Sequence, residues 1–489
     1  MVTRRALLAS PFLLARSEAE VTPDLFRFRP ELEPLVTLIE NTPREKCAEM
    51  AAVQLKRGVS YRQFMAALFL AGIRNVNPRP PGFALHCVFI IHAAHLLGME
   101  APADLRLLPL FFALDDFKKA QERDAKAQAG DYTMRALTGA LPAPEKAAAE
   151  LRTAMEAWDQ ERAERAVVTL ARNRSVPEVF ELLWRYGVRD QRNIGHKAIY
   201  SANAIRTLQT IGEQHAEPVF RSLVLSLLDF GLERKIDGYA FEDQSYPGNA
   251  KRSRELFSRL PATWMDPRSD ASTVRSLLAT LRDAPLDEGC ADVATRLSKG
   301  QATAGSVWDA VHLAAAELQM RIPASGRITG IHTVTSANGL RHCYLAAADA
   351  QTRFLILLQA AGWMAQFRTR VGAGKDPARN VNIAALEPAS EDGNPFAVLA
   401  SDQDAAAARV LRLARDLRAR DAFQADAVRH IAAKANEVHY LKYLASIIED
   451  VPLVSAEWQP HLMAASVYYL KGPDDPDSLS TKQAREVLQ

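Results

Sequence analysis

The chain has 489 residues, of which 48% are hydrophobic, and its 60 basic and 58 acidic side chains leave a net charge of +2. Such a length buries a large core, and so small a charge gives no surface-wide field for a polyanion, which excludes nucleic acid as an expected partner. No uninterrupted apolar run approaches the ~18 residues that a membrane span needs.

The first residues, Met1-Val2-Thr3-Arg4-Arg5 followed by a short apolar stretch to Ala15 and then Ser17-Glu18-Ala19, resemble a twin-arginine export signal over residues 1–20. That reading places the protein in the periplasm. If the segment is only a basic amino terminus, the chain stays in the cytoplasm. Beyond it, apolar residues recur every three or four positions, as in Val307, Val311, Ala314, Ala315 and Leu318, and alternating strand patterns are nearly absent. The expectation is an all-α protein of about eighteen helices, a multi-helix bundle or a stacked helical array.

Pro78-Arg79-Pro80-Pro81-Gly82 precedes a long apolar helix, and Ser175-Val176-Pro177-Glu178 is a capping box that opens another. Weak seams at 140–144 and 372–395 divide the chain into a helical region, 21–140, and a larger helical domain, 141–489, although the two can equally form one continuous body. Cys47, Cys87, Cys290 and Cys343 stand far apart in apolar helical patterns, which points to buried free thiols.

Several familiar sites are excluded by inspection. There is no H-E-x-x-H, G-x-S-x-G or Walker loop, and Gly372-Ala373-Gly374-Lys375 follows no strand, so no nucleotide-binding motif is present. No histidine has a glutamate three residues before it, which excludes the di-iron carboxylate pattern. What remains is the placement of histidine inside apolar helices: His86, His92 and His95 in one run, then His196, His312, His332, His342 and His439. Buried imidazoles need partners, and one solution is a shared metal, with Asp309, one turn from His312, orienting the ring. His196, Tyr200 and Asn203 fall on one helix stripe that suits either a polar pocket or a hydrogen-bonded helix interface. Lys442 shares a face with His439 and would keep that imidazole neutral. Asp115, Asp116 and Lys118 form either the polar end of an apolar helix or a solvated cluster.

A short echo links Ser201-Ala202-Asn203-Ala204-Ile205-Arg206 with Ser336-Ala337-Asn338-Gly339-Leu340-Arg341. His196 lies five residues before its serine and His332 four, a shift of about 100° around a helix, so the two rings need not point alike.

The segments GHKAIYSANAIRTL, VWDAVHLAAAELQMR, GIHTVTSANGLRHCYLAA and VHYLKYLA, in this order, resemble the all-helical questin oxidase-like family over residues 150–470. The resemblance implies an oxygenase, a Baeyer–Villiger insertion of oxygen into an aromatic ring, with reduced nicotinamide as reductant. It matches His196, His312, His332 and His439. The expected protein is thus an oxidoreductase acting on an apolar, aromatic-sized small molecule in a histidine-lined cavity between helices. His196, His312, His332 and His439 are the metal-ligand candidates, for iron, copper or zinc, and His196, Tyr200, Asp309, His332 and Lys442 the catalytic ones. The competing class is a non-enzymatic helical-repeat scaffold that binds a protein partner and scatters its histidines along a solenoid.

Overall fold

The computed structural model describes residues 25–127, 132–229, 241–322, 327–374 and 376–488. The export-signal segment lies outside them. Among the described residues there are 21 α-helices joined by short 3-10 turns, with no strand and an isolated bridge between Leu25 and Arg135. Among the described residues no helix is long and apolar enough to cross a membrane.

Outer helices follow the simplest rule. In Ala271–Asp283 the residues Val274, Leu277, Leu278 and Leu281 bury one stripe, and the Asp270 carboxylate accepts from the Thr273 amide at 2.8 Å to cap the first turn. The expected capping box forms where it was read, with Ser175 and Glu178 opening Val176–Gly187. All four cysteines are free and buried.

The inner helices are apolar nearly all round, which is the mark of a helix surrounded by others. Four of them form a closed ring: His86–Glu100, His196–Ile211, Arg327–Ala346 and Val438–Asp450. The first packs on the second and the fourth, and the third packs on the same two, so the four make a bundle within the larger body. We name each by its histidine. The echoing segment at 336–341 lies at a close contact between the His332 and His196 helices, because a methyl group on Gly339 would stand 3.1 Å from the Ala198 carbonyl and the Ile199 nitrogen. The His312 helix, Ala304–Arg321, packs on the outside of the His332 helix, and Leu108–Ala125 packs on the outside of the His86 helix.

Candidate metal centre

At the middle of the ring four imidazoles meet. His86 Nε2 lies 2.7 Å from His196 Nε2, and His332 Nε2 lies 3.1 Å from the same atom. His439 joins them with its ring 4.9 Å from that of His86 and 5.0 Å from that of His332. One nitrogen from each of His86, His332 and His439 falls within 4.8 Å of the others, a spacing that suits a shared ion.

Each ring is aimed by its backbone. His196 opens its helix after three consecutive residues in left-handed conformation, Asn193 at φ 53°, Ile194 at φ 52° and Gly195 at φ 86°. A β-branched isoleucine there is strained by ~1–3 kcal/mol, a cost that persists only where the surroundings fix the turn. Here Asn193 donates to Asp229, and buried Lys197 bridges Asp190 and the Asp229 carbonyl. The turn delivers the Asn193 carbonyl to His196 Nδ1. His332 Nδ1 donates to the Ile328 carbonyl one turn back, at 2.6 Å. Glu437 caps the His439 helix, and the same carboxylate receives His439 Nδ1 while its other oxygen accepts from the Tyr469 hydroxyl.

These contacts fix the tautomers. A carbonyl or carboxylate only accepts, so His196, His332 and His439 all carry their ring proton on Nδ1, and all three Nε2 atoms present a lone pair inward. Burial, reinforced by Lys442, holds His86, His196 and His332 well below the usual imidazole range, so no second proton joins them. One N–H, on His86, is then left to serve the cluster. His439 Nε2 has no partner, and the bare nitrogens of His196 and His332 face each other. Such a surplus of converging lone pairs suits a cation among them. Imidazoles whose outer N–H groups are bound to oxygens are the usual form of a metal site.

A cleft of about 460 Å³ opens onto one side of the centre, walled by His86, His439, Phe112, Asp116 and Glu437, with Arg123 at its rim. A larger groove of about 650 Å³, beside Tyr440 and Lys471, holds none of the clustered histidines. Lys442, only 3% exposed, lines a small cavity on another side with Asn203, Asn338 and Glu449, and its amine has no hydrogen-bond partner. Burial pushes that amine down to about 7 against the pull of Glu437 and Asp116.

Of the residues singled out in the sequence, His196, His332 and His439 come together with Lys442 near them. His312 does not join, because its helix lies outside the ring. Its Nδ1 stands 3.5 Å from the Asp450 carboxylate and its ring packs on Trp308. Asp309 does not orient it, since its carboxylate accepts from the Ser269 and Ser455 hydroxyls, each at 2.6 Å, and so ties two loops to the helix. The Tyr200 hydroxyl is turned to Ser222 at 2.8 Å, with its ring against Phe89. Asp115, Asp116 and Lys118 are buried, which rules out the solvated cluster. The ligand candidate that the sequence reading passed over is His86. Its signal was a histidine at the very start of an apolar run, straight after the proline break, in a stretch the family resemblance does not cover.

No family model, curated protein or solved structure matches the chain.

Proposed function

We propose that the protein is a metal-dependent oxidoreductase of oxygenase type, acting on a small molecule held in the cleft beside the histidine centre. The observation that carries this reading is the convergence of four imidazoles, three of them with tautomers set by an oxygen behind the ring. His86, His332 and His439 are the ligands, and His196 is either a fourth or a base beside them. A set of three neutral imidazoles with an open side suits zinc, copper or iron and leaves room for a substrate atom. A redox metal held there would supply the handling of oxygen. The oxygenase half rests on the resemblance to the questin oxidase-like family, from which an apolar aromatic substrate and reduced nicotinamide as reductant also come. Convergence of rings drawn from across the chain favours an enzyme over a scaffold, for which histidines would scatter.

Metal analysis of protein incubated with iron, copper or zinc and then desalted tests the centre. The expected result is about one ion per chain, lost in His332→Ala and His439→Ala and kept in His312→Ala. Wild-type protein that retains no metal, or a His332→Ala variant that retains as much, would sink the reading. Oxygen uptake on addition of reduced nicotinamide and an aromatic substrate panel tests the other half. A zinc-only protein with no uptake would leave the centre standing and remove the oxygenase.

A further inference from the structure

Asp116 stands out among the residues that the centre does not use. It belongs to Leu108–Ala125, the helix that packs behind the His86 helix, and it lines the same cleft as His86 and His439. It is 7% exposed, and its Oδ2 has no hydrogen-bond partner. The neighbouring Asp115 takes the available cations, with Arg44 and Lys119 each at 2.7 Å. A buried carboxyl with a free oxygen costs stability. Arg123 and Lys119 offset that cost only in part, through their charge and without a hydrogen bond to Oδ2. His439 Nε2, equally buried and equally without a partner, lines the cleft with it. Two unsatisfied polar groups, from two different helices, therefore belong to residues that line one cleft.

We propose that Asp116 is the proton acceptor and donor of the cleft, exchanging a proton with a ligand whose other atoms rest on the histidine centre. The remaining carboxylates of the cleft are placed differently: Glu437 already holds His439 and Tyr469, and Glu122 is exposed at the rim. Burial raises the Asp116 carboxyl to about 7 against Arg123 and Lys119, so both of its forms are accessible near neutral pH. The ligand class is a weak acid able to coordinate, one that loses an O–H or N–H proton when it binds. In that step the ligand's O–H bond breaks, its oxygen keeps the electron pair and binds at the centre, and the proton passes to Asp116 Oδ2. No electron is exchanged.

The inference rests on the metal centre proposed above, and its test separates the two. Acetohydroxamic acid is titrated into zinc-loaded protein by calorimetry in two buffers of different ionisation heat, which counts the protons given to buffer. At pH 7, where about half of the Asp116 carboxyls start ionised, the wild type should release only about half a proton, because Asp116 takes up the rest, whereas Asp116→Asn should release about one. Asp116→Glu and Asp115→Asn should behave as wild type, and Asp116→Ser is a second neutral replacement should the asparagine variant fold poorly. Equal proton release by wild-type and neutral variants, with zinc uptake intact, would overturn the assignment of Asp116 alone. Failure of the wild type to take up zinc would overturn both readings.

Discussion

Asp450 shows how far single residues around the centre depart from what is comfortable. It ends the His439 helix, where the aligned peptide carbonyls already disfavour negative charge. Burial pushes its carboxyl well above the ordinary range, Glu449 adds to this, and the amide of Asn338, at 2.9 Å, only partly compensates. A carboxyl raised in this way is more protonated in the folded chain than in the unfolded one. Its contribution is therefore intact below the unfolded value of about 4 and is lost as pH rises through the folded value. Asp450→Asn keeps an acceptor for Asn338 and removes the charge. The variant should be more stable than wild type by on the order of 1–3 kcal/mol at pH 8, with a smaller difference at pH 5. Urea unfolding at the two pH values checks this, and a gain that is absent, or the same at both, would show that the charge is well tolerated. The same residue explains why His312 misled. An imidazole one turn from an aspartate on an apolar helix has the same local sequence whether it meets a metal or, as here, a second buried carboxylate.

At the scale of elements, the centre depends on how closely two helices approach. Gly339 of the His332 helix faces the backbone at Ala198 and Ile199 of the His196 helix, and an added methyl would stand 3.1 Å from three of its atoms. Backbone cannot rotate away as a side chain can, so Gly339→Ala must part the helices by a few tenths of an ångström. Overpacking of this kind typically costs ~1–3 kcal/mol. Because His196 and His332 ride on the two helices, metal affinity should fall as well. Gly372→Ala is the control, since a methyl there meets nothing within 4 Å. Chelator competition and urea unfolding of both variants provide the readings, and an unchanged affinity in Gly339→Ala would mean that the helix spacing does not set the site. The echo that contains Gly339 was legible as a repeat, but its consequence was not. The shift of about 100° leaves open whether the two histidines point alike, and they meet because His196 sits on the first turn after a left-handed bend and His332 within a regular helix. In Asn193-Ile194-Gly195 the asparagine and the glycine both favour that bend, and the isoleucine argues against it.

Over the whole molecule, helical periodicity is a local property and was readable along the chain, which is why the all-α class and a count near eighteen came close to the 21 helices observed. Convergence is a property of packing between residues 86 and 439, and no spacing rule reaches that far. Its thermodynamic consequence is that an ion held by His86, His332 and His439 would tie together helices from opposite ends of the chain and bind the folded form only. Zinc at a hundred times its dissociation constant should then stabilise the protein by about 2.7 kcal/mol, seen as a higher unfolding temperature that a chelator reverses. His312→Ala should show the same increment from a lower starting point, because its ring is buried outside the centre. His439→Ala should show none. Amide hydrogen exchange gives the sharper reading, since the metal should slow exchange in the His86, His196, His332 and His439 helices together and leave the outer Ala271–Asp283 helix as it was. Slowing confined to one helix would mean that the ion sits on a surface residue of that helix and not at the ring.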